Sequence, residues 1–374
     1  MGRILRAVLT AILLAALAVA CTRPPTDQLH SRPRAPAALH PPDHPLVYLA
    51  DPDQLRERAR MAAEGQEPYA SAVNELVAYA DDALNVEPRP KERLKISGAG
   101  GDFVDDSTAA YGLALASVVT GERRYARKAA DILMSWAEVT QETRNTCPDS
   151  GECDTSLVLS RQAPAFVFAA NLIEREDVLS AAQLAHLRGW LYHVLLPGAS
   201  ERSNNWGDAG VFMQVVLTDY TGDKEGFARA IDRWRRQMDL VAADGHIPEE
   251  TRRGKAGMLY SQGALGYKVA VAVIAERRGI NLWDYRGKAG GTLRKAVDLL
   301  ARYWFQPERW PFSRRVEVPE VGPLWELAYA HWRDPDYIPI IQQRRPFSDQ
   351  GQSAVRWATL TSGIPLPGDG TARG

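Results

Sequence analysis

Residues 105–140 read DDSTAAYGLALASVVTGERRYARKAADILMSWAEVT. Apolar residues fill the first half from Ala109 to Val119. In the second half they recur at three- and four-residue spacing, at Tyr125, Ala129, Ile132, Leu133 and Trp136. That spacing is the mark of helices with one face in a core. Thr120-Gly121-Glu122 interrupts the pattern between them, so the stretch reads as a helical hairpin.

The same unit recurs along the chain. DQLRERARMAAEG (53–65) and YASAVNELVAYADDAL (69–84) precede it. RQAPAFVFAANLIERE (161–176) with SAAQLAHLRGWLYHVLL (180–196) forms the next pair, and residues 209–241 form another that turns at Thr221-Gly222-Asp223. Residues 255–279 with 290–306 follow, and GPLWELAYAHWRD (322–334) is the last clear helix. RRVEVPEV (314–321) is the one candidate short strand, and Pro319 places it at an edge or in a loop. Hairpins of about 40 residues build either an α-solenoid or a closed helical toroid. A solenoid should show self-similar repeats, and beyond the recurring Thr-Gly turn there are few. The chain is expected to be all-α, an incomplete α/α toroid with few or no strands, in one domain spanning 46–367 and followed by a short tail, 368–374.

Composition agrees with a folded globular domain: 45% hydrophobic, 24% charged, formal net charge −1. So balanced a charge gives no reason to expect a nucleic acid as partner. No glycine-rich phosphate loop, HExxH or Cys-His metal spacing occurs, so neither a cofactor nor a metal is expected.

The N-terminus reads as a targeting segment. Arg3 and Arg6 precede an apolar run from Ala7 to Ala20, which ends at Cys21. This is the pattern of a signal peptide, residues 1–20. LAVAC at its end resembles a bacterial lipobox, with Leu17 one place early, and implies lipidation of Cys21. Residues 21–45 are rich in proline and read as an extended tether. The expected protein is therefore an exported lipoprotein at the cell surface or in the periplasm, or else secreted, touching membrane only through Cys21. Cys147 and Cys153, in the turn-rich CPDSGEC, are expected to pair as a disulfide closing a small loop in an oxidising compartment. A monomer is expected.

The chemistry-bearing residues lie between the helices. SNNWGDAG (203–210) holds Asn204, Asn205 and Trp206 at a turn before an apolar helix. Asn favours such places because its amide competes for backbone groups. Further on, DGHIPEETRRGKAGMLY (244–260) contains His246, Arg253 and Tyr260. At about 3.6 residues per turn, the seven-residue step from Arg253 to Tyr260 places both on one helix face. A cation beside a phenol favours the phenolate, which fits a tyrosine for general base and acid work.

With this ordered set, the block from Ser203 to Gly279 resembles the alginate lyase superfamily, the helical-toroid polysaccharide lyases. The likeness covers most of 46–279. Asn204-Asn205-Trp206 matches that family's Asn-Asn-His. Residues 244–250 match its DG-x-x-P-x-E, and Arg253 and Tyr260 match its arginine and tyrosine. The resemblance implies β-elimination on an acidic polysaccharide, of alginate or glucuronan type. Asn205 and Arg253 would neutralise the uronate carboxylate, Asn204 and Trp206 would contact sugar, and Tyr260 would act as acid, base or both. Trp206 departs from the family, because indole is no base near neutral pH. Either Tyr260 performs both proton transfers, or another group such as His246 is the base.

Two other readings stand beside this one. Helical toroids also carry glycoside hydrolases acting on uronides, for which Asp102, Asp106 or Asp208 would supply the paired carboxylates. A glycan-binding lipoprotein without turnover would also tolerate Trp206.

Overall fold

The computed structural model describes residues 46–98, 100–144, 154–349 and 353–369. Cys21, Cys147 and Cys153, with the expected anchor and disulfide, lie outside these residues. All described residues belong to one compact unit.

Fourteen α-helices follow one another among the described residues: α1 (Pro52–Ala63), α2 (Tyr69–Ala83), α3 (Asp102–Thr120), α4 (Arg123–Val139), α5 (Asp154–Ile173), α6 (Ala181–Trp190), α7 (Asn205–Tyr220), α8 (Lys224–Met238), α9 (Pro248–Thr251), α10 (Gly257–Glu276), α11 (Leu293–Trp304), α12 (Leu324–Trp332), α13 (Ile338–Ile341) and α14 (Ala358–Thr361). The inner layer runs α3, α5, α7, α10, α12, each helix packed on the next. Outside it, α4 covers α3, α8 covers α7 and α11 covers α10. The short α14 touches both α12 and the α1–α2 hairpin. This is the expected α/α toroid.

Sequence explains the two layers. Outer helices bury one stripe: on α11 these are Leu293, Ala296, Val297, Leu299, Leu300 and Trp304. Inner helices are buried on nearly every face, so α5 and α10 are apolar all round and long enough to cross a membrane, yet here they form the core. A small residue lets α2 and α3 approach closely: a Cβ added at Gly112 would meet the Tyr79 ring at 2.7 Å.

Buried polar groups fix the arrangement. Asp208 on α7 meets Lys268 on α10 at 2.5 Å, and Asp219 at the far end of α7 meets Arg278 just beyond α10 at 2.7 Å. Two buried ion pairs, about three turns apart on both helices, hold α7 and α10 parallel and in register. Glu326, fully buried, accepts from Arg345 Nε at 2.8 Å and from Thr359 Oγ1 at 2.6 Å, which ties the C-terminal segment to α12.

The helix after Gly101 starts at Asp102. Asp106 is buried one turn in, accepting the Arg89 backbone N–H and the Trp136 indole N–H, each at 2.8 Å. One local expectation is corrected. Residues 314–321 form no strand. The two strands among the described residues, β1 (Arg93–Leu94) and β2 (Glu142–Thr143), pair in parallel over two residues.

Candidate active site

The parallel run of α7 and α10 brings their N-termini to one end of the toroid. Both ends carry the positive pole of a helix dipole, which favours an anion. Asn204 caps α7, its Oδ1 accepting the Trp206 N–H at 3.1 Å. Asn205 opens the helix and is buried. Its N–H donates to Glu250 Oε1 at 2.6 Å, and its own Oδ1 has no hydrogen-bond partner among the described residues.

The glycines of SNNWGDAG have a steric cause. A Cβ at Gly207 would lie 1.6 Å from the Arg202 carbonyl oxygen, and one at Gly210 would lie 1.9 Å from that of Ser200. The strap 200–202 therefore lies directly on the first two turns of α7. Arg233 and Gln237 of α8 hold it there, donating to the Ser200 and Arg202 carbonyls at 2.8 and 3.0 Å. Arg202 in turn places its guanidinium 4.0 Å from the Trp206 ring centre, a cation–π contact.

Arg253 and Tyr260 meet, but by a route different from the one expected. They do not share a helix. Arg253 follows α9, and Gly254, at φ +62°, breaks the chain into a single 3₁₀ turn before α10 begins at Gly257. Tyr260 lies in the first turn of α10, half-buried, and the Arg253 guanidinium sits 4.1 Å from its ring centre. The Arg253 N–H donates to the Glu250 carbonyl at 3.0 Å, so one short segment carries contacts to both Asn205 and Tyr260.

His246 stands apart. Its Nδ1 lies 2.6 Å from Asp244 Oδ1 and its ring packs on Phe312, centres 4.7 Å apart. Among the described residues none of these contacts joins it to Asn205, Arg253 or Tyr260.

The alginate lyase family profile matches residues 56–310. This chain belongs to the alginate lyase family. An alginate lyase from Bacteroides ovatus is 18% identical, with a TM-score of 0.66, over 86% of this chain and 100% of that one. Alginate lyase A1-III from Sphingomonas species A1 is 18% identical, with a TM-score of 0.64, over 86% and 99%. A tyrosine-to-phenylalanine variant of alginate lyase A1-III, complexed with a tetrasaccharide, gives 0.70 at 16% identity over 87% and 98%. No curated protein sequence matches the chain significantly.

The protein is thus a polysaccharide lyase on an α/α toroid. The three carboxylates weighed for hydrolysis are tied up elsewhere: Asp106 as above, Asp208 with Lys268, and Asp102 with Arg89 and Lys91 at 3.1 and 2.9 Å.

Glu250 carries no role in the sequence reading, although it is the last residue of the DG-x-x-P-x-E stretch of this lyase. It is fully buried. Burial pushes its carboxyl up to about 7; the Asn205 N–H opposes that, Asp208 adds to it, and Arg253 and Lys268 oppose it. Nothing in a linear motif announces a buried carboxyl, because its surroundings come from three separate helices.

Proposed function

We propose that this lyase cleaves alginate at mannuronate by syn β-elimination, with Tyr260 as both base and acid. The Tyr260 phenolate takes the C5 proton. The C5 electron pair forms the C4=C5 bond, the C4–O bond breaks, and the departing oxygen takes the proton back from Tyr260. Asn205 and Arg253 face the carboxylate, whose charge must be offset before C5 becomes acidic.

The observation that carries this reading is the Arg253 guanidinium over the Tyr260 ring at 4.1 Å. It lies at the end of the toroid where Asn205 opens α7. One tyrosine serves both steps only when the proton and the leaving oxygen lie on the same sugar face, as in β-linked mannuronate. Trp206, with Arg202 on one side, supplies a stacking surface for a sugar ring in place of a second base.

We further propose an exported lipoprotein, anchored through Cys21 and held off the membrane by residues 21–45. The test is ultraviolet absorbance of the unsaturated product from the domain without its first 45 residues, offered polymannuronate, polyguluronate, glucuronan and glycosaminoglycans. Absorbance rising on polymannuronate first, and lost in Tyr260→Phe, is expected. Equal rates on polyguluronate would overturn the single-tyrosine mechanism.

A further inference from the structure

Among the described residues Glu250 is the one carboxyl hydrogen-bonded to the opening residue of α7, and the elimination chemistry leaves it unused. Its Oε1 accepts the Asn205 N–H at 2.6 Å. Its Oε2 is buried with no partner among the described residues, and so is Asn205 Oδ1. Two residues already joined by one hydrogen bond thus carry two buried oxygens that accept from no described residue. An unpaired buried acceptor is costly, and an unpaired buried charge more so. A proton on Oε2 removes the charge and converts one acceptor into a donor.

We propose that Glu250 is a positioning residue that works as a neutral carboxylic acid, holding the Asn205 amide with its NH₂ toward the uronate carboxylate. The O–H of Glu250 donates to Asn205 Oδ1 while its other oxygen keeps the Asn205 N–H. This inference rests on the proposed role of Asn205 in binding that carboxylate.

The surroundings favour the neutral form. From α7, Asp208 faces Glu250 with negative charge; from α10, Lys268 faces it with positive charge, and Arg253 does so from the turn after α9. Lys268 is already committed to Asp208 at 2.5 Å, and Arg233 of α8 is the next cation toward Asp208. With burial, the Glu250 carboxyl titrates near 7. A uronate bound beside Asn205 brings another negative charge, which raises that value further. An ionised Glu250 behind Asn205 would oppose the charge that the site must bind.

The experiment is steady-state lyase kinetics of the wild type, Glu250→Gln and Glu250→Ala over about pH 5 to 9. Glutamine keeps an acceptor for the Asn205 N–H and always offers a donor, so it mimics the neutral acid. The wild-type kcat/KM is expected to fall above pH about 7, with the limb in kcat displaced upward, because free enzyme and complex titrate separately. Glu250→Gln should retain near wild-type kcat at low pH and lose that limb. Glu250→Ala should lose kcat about 10²-fold with a smaller change in KM, as for a misplaced group. Glu250→Gln that keeps the wild-type limb, or that is as impaired as Glu250→Ala at every pH, would overturn the proposal. The proton is also read without turnover: the infrared difference between wild type and Glu250→Gln near pH 6 should contain a protonated-carboxyl C=O band. Its absence sinks the inference even where no polymer is cleaved, whereas its presence in an inactive wild type would fault the lyase assignment instead.

Discussion

The Arg253 guanidinium lies 4.1 Å from the centre of the Tyr260 ring, although Gly254 and a 3₁₀ turn separate the two residues from a common helix. The guanidinium meets the ring face and so leaves the hydroxyl edge for the proton transfers proposed for Tyr260. Tyr260→Phe should therefore lower kcat by about 10²–10⁴. Arg253→Lys should recover only part of the activity lost in Arg253→Ala, since an ammonium lacks the planar face that stacks on the ring. Product absorbance of the three variants checks this, and a fully active Arg253→Ala would remove Arg253 from the mechanism.

Asn205 gives a charge test of carboxylate binding. Asn205→Ala is expected to lose about 10²–10³ in kcat, as for one missing oxyanion donor. Asn205→Asp, nearly the same shape, should lose more, because it sets a negative charge against the uronate. Circular dichroism should show both folded. The reverse order of activities would place Asn205 away from the carboxylate.

Glu250 also makes stability depend on pH. Its folded value, about 7, exceeds the ordinary 4.5, so the folded state binds the proton more tightly than the unfolded chain. The stabilisation is complete below pH 4.5 and is lost as pH rises through about 7, roughly 3 kcal/mol across that window. Burial pushes Asp208 in the same direction. Urea unfolding at a series of pH values should show wild-type stability falling relative to Glu250→Gln over this range; parallel curves would mean that Glu250 is ionised throughout.

The Asp208–Lys268 pair is buried on both sides, with side chains 3% and 2% exposed. Lys268→Met leaves a buried carboxyl without its cation and should cost about 3–5 kcal/mol. Asp208→Asn combined with Lys268→Met should cost distinctly less than the sum of the single changes. Additive losses in urea unfolding would show that the two side chains do not act as a pair.

Gly207→Ala tests the strap over α7. The new Cβ would meet the Arg202 carbonyl at 1.6 Å, so residues 200–202 must shift and carry Arg202 off Trp206. KM is expected to rise several-fold with a smaller effect on kcat, since the proposed role of the Trp206 ring is to stack on sugar rather than to react. Unchanged kinetics would separate the Arg202–Trp206 stack from substrate binding.

Much of this was legible in the chain. Three- and four-residue apolar spacing marks the hairpins, because a helix that buries one face must repeat its apolar residues at that interval. Gly121 and Gly222, at φ +73° and +75°, end helices where the sequence reading puts turns. The ordered set of Asn205, Arg253 and Tyr260 pointed to the candidate site, since chemistry constrains residue type and order. Less visible was the start of α3: Asp102, Asp105 and Asp106 are equivalent as letters, and the Arg89 backbone N–H with the Trp136 indole, thirty residues on, selects Asp106 for the interior.

Sequence by itself determined the helical class, the hairpin order and the type of reaction, since each depends on spacing or on side-chain chemistry. Tertiary structure alone decided which groups meet. The parallel register of α7 and α10 rests on two ion pairs, each joining residues about 60 positions apart. The stack of Arg253 on Tyr260 depends on a left-handed glycine, and the state of Glu250 on its loss of solvent. Burial and long-range charge belong to no single segment, and so they are written only in the fold.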